Sequence, residues 1–382
     1  DALAAFCQTA QAAPYVTIDT EFLRERTYYA QLCLLQMALP GPEGAMSGPA
    51  VLVDPLAEGL SLDPFYDLMR NEAVVKVLHA VRQDLEIFFF EGRCLPRPLF
   101  DTQIAAMVCG FGDQVGYETL VRKLARGQID KSSRFTDWSR RPLSDAQLKY
   151  ALADVTYLRV VYEKLAAQLE KSGRSAWVEE ELQILLDPET YISRPEDAWQ
   201  RVKTRSDSGR FMAIVRELAA FREGYAQARN IPRSRVFKDD ALLELASVKP
   251  RNMDDLGRTR LLLRDARRGD IAQGIIDAVA RGLACDPADF PATDDARPQL
   301  QVNPALADLL RVLLKAKSDA TDVAAKLIAS AADLDALAAG QRDIAALRGW
   351  RADVFGTDAL RLCAGQVALA VKGERVSVIS LE

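Results

Sequence analysis

Two acidic residues two positions apart, Asp19 and Glu21, stand in the segment VTIDTEF. The segment alternates in polarity as a strand does, and side chains two apart in a strand share one face, with Cα atoms roughly 6–7 Å apart. Carboxylates this close repel each other unless a cation lies between them, and a divalent ion with oxygen ligands is the simplest occupant. Taken alone, the pair more often marks only a strand end that enters solvent.

A third carboxylate, Asp84, follows the strand pattern VVKVLHA and lies near the start of a helix predicted for RQDLEIFFFEG. Its position has an ordinary explanation, because acidic side chains interact favourably with the positive N-terminal end of a helix. Alone, Asp84 predicts no chemistry.

A tyrosine and an aspartate lie one turn apart in the segment from Asp145 to Leu169, which is predicted to be a helix. Leucine and valine residues recur there at three- and four-residue spacing and form one apolar stripe. Tyr150 and Asp154 lie side by side on a different, partly apolar face. If that face is covered, the carboxylate needs a cation or hydrogen-bond donors. A Tyr–Asp hydrogen bond on a surface helix explains the pair equally well.

Together, the three segments resemble the three motifs of the DEDD superfamily of 3′–5′ exonucleases, in its tyrosine subtype. YVTIDTEFLRERTYYAQLCLLQMA is similar to the first motif of the ribonuclease D family, KVLHAVRQDLEIF to the second and TDWSRRPLSDAQLKYALADVTYL to the third. Downstream, FMAIVRELAAFREGYAQARNIPRSRVFKDDALLELASVKP resembles the helicase-and-RNase-D C-terminal (HRDC) module. VNPALADLLRVLLKAKSDATDVAAKLIASAADLDALA resembles a second, more divergent copy. The resemblance covers nearly the whole chain.

The resemblance implies an α/β plus all-α architecture, in which a ribonuclease H-like mixed-sheet exonuclease domain precedes two small helical HRDC domains. The implied parts are the exonuclease domain over 1–170, a connecting segment over 171–207, a first HRDC domain over 208–289 and a second, divergent one over 298–382. The residue patterns favour the same order, because strand-like segments dominate up to about Thr102 and helical patterns follow. A polar, proline-containing stretch over 286–301 is predicted to link the two helical modules, and helices are predicted up to and including DALRLCAGQVALAVKG.

For the site, the resemblance implies that Asp19, Glu21, Asp84 and Asp154 hold two divalent metal ions, Mg²⁺ or Mn²⁺. Tyr150 would hydrogen-bond the attacking water and fix its direction. A phenol with a pKa of about 10 is a poor general base, so positioning is the role predicted for it. The sister subtype has histidine at this place, and the single histidine of the chain lies in the wrong motif to serve.

Four further residues are candidates for contact with the substrate, each with a structural alternative. Phe22 could stack against the terminal base or simply pack in its strand. His79 could contact the RNA backbone or be a satisfied residue at a strand end. Trp138 and Arg141 could line the entrance for the RNA backbone or belong to a solvated loop.

Composition limits the remaining possibilities. Six cysteines without a CxxC pair favour reduced, cytoplasmic thiols, and a single histidine excludes His-rich metal sites. The sequence contains no apolar run of about 18 residues, so no membrane span is predicted. Its first residues lack the basic, then apolar, then small-residue order of a secretory signal. Residues 1–190 carry 19 Lys and Arg against 27 Asp and Glu, a net charge of −8, whereas 191–290 carry 19 against 15, a net of +4. Residues 194–238, with 11 against 5, are the best candidate surface for RNA phosphates, and a chance fluctuation is the alternative.

The resemblance therefore predicts a 3′–5′ exoribonuclease that releases 5′-mononucleotides. Its substrate would be RNA with a free single-stranded 3′ end, in particular tRNA precursors. The chain is expected to act as a monomer in the cytoplasm without an obligate protein partner. Two alternatives stay open: a DEDD-type 3′–5′ DNA exonuclease in repair, and a non-catalytic nucleic-acid-binding scaffold.

Overall fold

The computed structural model describes residues 2–206, 208–291 and 301–381. These residues form two compact units that do not follow chain order. The first comprises 2–21, 33–190 and 301–381, and the second comprises 22–32 and 191–291. Residues 292–300, which include most of the predicted linker and the start of the second predicted HRDC domain, lie outside the described residues. Within the described part of the chain, no helix combines the length and hydropathy that a bilayer crossing requires.

The first unit is built on a five-stranded sheet in the order β3-β2-β1-β4-β5. Its strands are β1 (Tyr15–Leu23), β2 (Gln31–Ala38), β3 (Ala50–Val53), β4 (Val75–Leu78) and β5 (Leu99–Asp101). β1 pairs with β4 and β4 with β5 in parallel, whereas β2 and β3 are antiparallel. The predicted mixed sheet is confirmed. β1 lies at its centre, and Val16 and Ile18 are fully buried there.

Helices cover this sheet. They are α1 (Ala2–Ala10), α2 (Asp63–Arg70), α3 (Arg82–Gly92), α4 (Thr102–Val108), α5 (Tyr117–Leu120), α6 (Asp145–Ser172) and α7 (Ser175–Leu185). The longest, α6, begins at a capping box in which Ser144 and Gln147 satisfy each other's backbone donors, and it ends at Gly173 in the left-handed conformation. These signals fix where the helix that carries Tyr150 and Asp154 starts and stops.

The C-terminal part of the first unit is a small module of helices and one hairpin. Its elements are α13 (Pro304–Thr321), α14 (Ala325–Ile328), α15 (Ala331–Ala338), α16 (Gly349–Arg351), α17 (Thr357–Cys363), β6 (Val367–Lys372) and β7 (Arg375–Ser380). The predicted helix over DALRLCAGQVALAVKG is wrong beyond Cys363. Gly365 has φ 71°, which ends the helix, and the valine-rich segments after it pair across a two-residue turn that starts with Gly373 at φ 67°.

This module is joined to α7 of the same unit by a buried aromatic and polar contact. Trp350 stacks on Trp177 with ring centroids 4.6 Å apart and planes 12° from parallel. The buried carboxylate of Glu181 accepts a hydrogen bond from Trp350 Nε1 at 3.1 Å and also pairs with Arg351. Loss of this contact would leave the buried carboxylate of Glu181 without these donors, which costs free energy. The contact therefore favours one position of the module against α7.

The second unit is a helical module packed on one short segment from the nuclease part of the sequence. Its helices are α8 (Gly209–Arg229), α9 (Arg233–Val236), α10 (Asp239–Val248), α11 (Met253–Gly257) and α12 (Gly269–Ala284). The helical structure predicted for this module is confirmed: the long helix α8 ends at Asn230, and shorter helices follow it. Fully buried side chains, among them Leu218, Phe237 and Ile275, form its core.

Residues 22–32, which connect β1 to β2, contact the end of α8 and the turn after it. The hydroxyl of Tyr28 donates to Glu223, which is 1% exposed, and accepts from Gln227 Nε2 at 3.1 Å. Arg233 places its guanidinium 4.9 Å from the Tyr28 ring centroid and pairs with the same carboxylate at 2.6 Å. Asn230 Oδ1 accepts from the backbone N–H groups of Tyr28 at 3.1 Å and Tyr29 at 3.0 Å. A chain segment that looks like a simple strand connection is therefore held by a helical module.

Candidate metal centre and active site

The predicted acids come from three elements of the first unit. Asp19 and Glu21 lie on β1, Asp84 lies in the first turn of α3 directly after β4, and Asp154 lies on α6. Because β1 and β4 run parallel, the chain leaves both strands at the same edge of the sheet. α6 is fixed to β1 by Thr17, whose hydroxyl donates to the carbonyl oxygen of Val155 at 2.8 Å. This bond sets the residue after Asp154 against the strand that carries Asp19.

Three of these carboxylates meet at one place. One oxygen from each of Asp19, Glu21 and Asp154 lies within 4.8 Å of the corresponding oxygens of the other two. None of the three forms a salt bridge with a lysine or arginine among the described residues. A dense set of carboxylate oxygens without a partner cation is the donor set that hard divalent ions such as Mg²⁺ and Mn²⁺ prefer. The residues present therefore fit the implied metal ions.

Asp84 is the fourth acid and lies beside this group. It is buried and accepts a hydrogen bond from the hydroxyl of Thr20. Its negative charge raises the pKa of both Asp19 and Glu21. Asp84 is thus near enough for its charge to act on the other acids, although it is not one of the three whose oxygens lie within 4.8 Å of one another.

The electrostatics of the group follow from burial and mutual repulsion. Burial, followed by the charges of Asp154, Asp84 and Glu21, raises the pKa of Asp19 well above its usual range. Burial and the charges of Asp154 and Asp84 raise the pKa of Glu21 to about 9, and the charge of Arg134 opposes that rise. Burial raises the pKa of Asp154 to about 7, and the hydrogen bond from Tyr150 and the charge of Arg134 oppose that rise. Without cations, the site holds protons at neutral pH.

Tyr150 lies between the acids and a buried tryptophan. Its phenol lies beside the carboxylate of Asp154, whose charge acts on it, and its ring centroid is 6.1 Å from that of Trp138. Burial and the charges of Asp154, Glu21 and Asp19 raise the pKa of the Tyr150 phenol above its usual value. The phenol therefore stays protonated, which suits a hydrogen-bond donor and does not suit a general base.

Two of the residues predicted to contact substrate have structural partners instead. Trp138 is 2% exposed, so the expectation that it lines an entrance is wrong, and the indole supports the Tyr150 ring. Arg141 forms a bidentate pair with Asp54 at 2.6 and 2.5 Å and donates to the Cys33 carbonyl at 2.7 Å. Its guanidinium is used by protein acceptors, which speaks against a contact with RNA.

The other two candidates lie close to the acids in sequence. His79 Nδ1 is 3.0 Å from Thr102 Oγ1, and that hydroxyl donates to the carbonyl oxygen of Leu78. Nδ1 must therefore carry the proton, and burial lowers the pKa of the ring, so His79 is neutral. Phe22 is half-buried, and the guanidinium of Arg24 lies 5.5 Å from its ring centroid. A substrate contact for either residue stays a prediction.

Sequence reasoning missed two residues beside the acids. Tyr117 donates to the carbonyl oxygen of Ala153, at 3.1 Å, and its ring packs on His79. Arg134, in the loop before α6, lowers the pKa of Glu21 and Asp154 through its charge. Neither lies in a recognisable motif, and only the folded positions of the loop and α5 reveal them.

Comparisons with known proteins show which family the chain belongs to. A ribonuclease D of Jannaschia sp. (strain CCS1) is 62% identical over 381 residues, covering 100% of this chain and 98% of that protein. The chain belongs to the ribonuclease D family. A ribonuclease D of Granulibacter bethesdensis is 48% identical over 380 residues, covering 99% of this chain and 94% of that protein. The crystal structure of Escherichia coli RNase D superposes with a TM-score of 0.79 at 28% identity, covering 96% of this chain and 97% of that one.

Two family models match parts of the chain. A 3′–5′ exonuclease model matches residues 1–170, and an HRDC domain model matches residues 211–279. The predicted combination of a mixed-sheet exonuclease domain with helical HRDC structure is confirmed. As a member of the ribonuclease D family, the chain is a 3′–5′ exoribonuclease, a phosphodiester hydrolase.

In this ribonuclease D family member, much of the basic charge predicted to bind RNA serves the HRDC module itself. Arg210 donates to the carbonyls at the end of α12, and Arg222 pairs with Asp239 at 2.7 Å. Arg233 is paired with the buried Glu223. Four exposed cations within residues 194–238 form no salt bridge with any described residue: Lys203, Arg205, Arg235 and Lys238. These four carry what remains of the predicted phosphate-binding surface.

The raised pKa values predict how stability depends on pH when metal ions are removed. The folded, metal-free protein keeps protons on Asp154 and Glu21 up to pKa values of about 7 and 9, whereas the unfolded chain loses them near pH 4. The folded state therefore binds more protons in this window, and its stability should fall as pH rises from 4 towards 9. Urea unfolding in chelator at pH 6.0, 7.5 and 8.5 measures this slope.

Millimolar Mg²⁺ should reverse the loss, because a cation stabilises the ionised acids of the folded state. Asp19→Asn removes one of the repelling charges and should flatten the slope in chelator. An unchanged slope in that variant would show that these acids do not control it.

Proposed function

We propose that Asp19, Glu21, Asp84 and Asp154 hold two divalent ions, Mg²⁺ or Mn²⁺, and that Tyr150 positions the water that attacks the terminal phosphodiester. The enzyme would release 5′-mononucleotides from RNA with a free single-stranded 3′ end. The observation that supports this proposal is the convergence of three carboxylates, from β1 and α6, without a partner lysine or arginine among the described residues.

When bound, such ions lower the pKa of a coordinated water and stabilise charge on the attacking and leaving oxygens of a phosphoryl displacement. The chain supplies the rest. Rigid elements, β1 and α6, fix the acids, and Thr17 ties the two elements together. The protonated Tyr150 hydroxyl fixes the direction of the attacking water, because Trp138 behind its ring holds the phenol in one place.

tRNA precursors are the substrate class we propose. The Escherichia coli RNase D structure is described as that of an exoribonuclease involved in structured RNA processing, which supports this choice. In the proposed division, residues 1–170 carry catalysis, 171–207 connect and 208–289 form the HRDC domain. Exposed cations of the connecting segment and of the HRDC domain would contact RNA phosphates. The module over 298–382 attaches to α7 in the described residues. We further propose that the chain acts as a monomer in the cytoplasm.

One digestion series tests the proposal against both alternatives. A 3′-extended tRNA, a single-stranded RNA and a DNA of matched sequence are incubated with enzyme in chelator, Mg²⁺ or Mn²⁺. We expect metal-dependent removal of 5′-mononucleotides from the RNA 3′ ends, with DNA degraded at least about 10-fold more slowly. Equal rates on DNA would favour the DNA exonuclease. RNA binding without hydrolysis under every metal condition would favour the scaffold.

A further inference from the structure

A short segment before α6 presents an aromatic side chain to solvent while both of its flanks are tied down. On one side, Ser133 is buried and accepts a hydrogen bond from Thr136 at 2.7 Å. On the other, Gln147 of α6 donates to the Thr136 hydroxyl at 3.1 Å, and Trp138 is buried against Tyr150. The two residues between these anchors, Arg134 and Phe135, project from a fixed base.

Phe135 is 91% exposed, the highest value among the large exposed hydrophobic side chains that the structure describes. Burial of such a ring would stabilise the fold, and Phe135 makes no such contribution. The guanidinium of Arg134 lies 5.2 Å from the Phe135 ring centroid, so a cation and an aromatic face stand together. Packing does not explain the pair, since neither side chain is buried.

The pair lies beside the acids. Its anchor Gln147 precedes Tyr150 by three residues on the same helix, and its anchor Trp138 contacts the Tyr150 ring. The charge of Arg134 reaches the carboxylates themselves, because it lowers the pKa of Glu21 and Asp154. An RNA end that approaches these acids therefore comes within reach of a projecting cation and a projecting ring.

We propose that Phe135 stacks on a base near the 3′ end of the RNA and that Arg134 contacts the neighbouring phosphate. This inference rests on the proposed function and adds a substrate-binding pair to it. Stacking of a base on an aromatic ring tolerates any sequence, because every base has a π face, and a guanidinium suits a phosphate at its side. The pair would hold the end of any RNA in register with the acids.

The test combines protein variants with base-deleted RNA. Phe135→Ala should raise KM for a single-stranded RNA by about 5- to 50-fold with a much smaller change in kcat, and Phe135→Tyr should restore it. Single abasic residues are then placed at each of the last four positions of the RNA. When the abasic residue is at the stacked position, the KM of wild type should rise to that of Phe135→Ala. The KM of the variant should not rise further. Arg134→Ala should raise KM and make KM less dependent on salt concentration. Arg134→Lys keeps the positive charge, so it should retain part of the affinity and part of the salt dependence.

Ile184→Ala serves as the matched control, because it removes another strongly exposed hydrophobic side chain, on α7. Hydrolysis of bis(4-nitrophenyl) phosphate, a diester without a base, should be the same in wild type and Phe135→Ala. If wild type fails on both this diester and RNA, the proposed function is wrong. If wild type is active but Phe135→Ala keeps its KM, or loses equally at all abasic positions, the stacking proposal is wrong.

Discussion

Asp154→Ala is expected to abolish hydrolysis while leaving the affinity for RNA in chelator nearly unchanged. Asp154 is one of three acids whose oxygens converge, so its removal should weaken binding of the divalent ions. Several kcal/mol of transition-state stabilisation would go with them, which corresponds to a loss of at least about 10³-fold in kcat. RNA binding without metal should persist, because the basic and aromatic groups proposed to contact RNA are not altered. Single-turnover digestion of a labelled RNA and filter binding in chelator measure the two effects.

Two further variants separate chemistry from folding. Asp154→Asn keeps the size of the side chain and removes the charge, so it should lose activity like the alanine variant while still unfolding in one cooperative urea transition. Asp145→Asn changes an exposed aspartate in the first turn of the same helix and should keep full activity. An Asp154→Ala protein with normal turnover would remove this residue from the metal centre.

Tyr150→Phe is expected to lower kcat by about 10²-fold with little change in the apparent metal affinity. The substitution keeps the ring against Trp138 and deletes only the hydroxyl beside Asp154. Misdirection of the attacking group by about 1 Å costs a factor of this size. Because the phenol stays protonated, the pH profile of the residual rate should keep its shape. Rates as a function of Mg²⁺ concentration and pH give all three quantities.

Tyr157→Phe is the matched control for Tyr150→Phe. Tyr157 lies on the same helix two turns later, is also half-buried and is not placed among the catalytic groups. It should digest RNA at the wild-type rate. A Tyr150→Phe enzyme that also works at the wild-type rate would show that the hydroxyl does not position the water.

Those features of the site that depend on local periodicity could be predicted from the sequence. Period two in a strand places Asp19 and Glu21 on one face, and a spacing of four in a helix places Tyr150 beside Asp154. The resemblance to three known motifs then brings these segments together. No local rule would have done so, because β1 and α6 are separated by more than 100 residues.

The features that could not be predicted depend on partners distant in sequence. Arg141 looks like an RNA-binding cation until its partner Asp54, 87 positions away, is known. Trp138 looks like a loop residue until the fold buries it. β5 is only three residues long, too short for an alternating pattern to show, and it forms by pairing with β4. Local patterns constrain a residue's neighbours along the chain and leave its tertiary contacts open.

The hold that the HRDC module has on residues 22–32 bears on how such proteins can be dissected. A fragment cut after Thr190 would retain every proposed catalytic residue and still leave Tyr28 without Glu223, Gln227 and Arg233. Residues 22–32 begin at Phe22, which is bonded directly to Glu21. Greater mobility of this segment would therefore affect the position of the Glu21 carboxylate. Low activity in such a fragment would then indicate that the end of β1 is less ordered, and not that the proposed RNA-binding surface has been removed. Removing the helical module therefore removes the partners of residues 22–32 together with the exposed cations of the module.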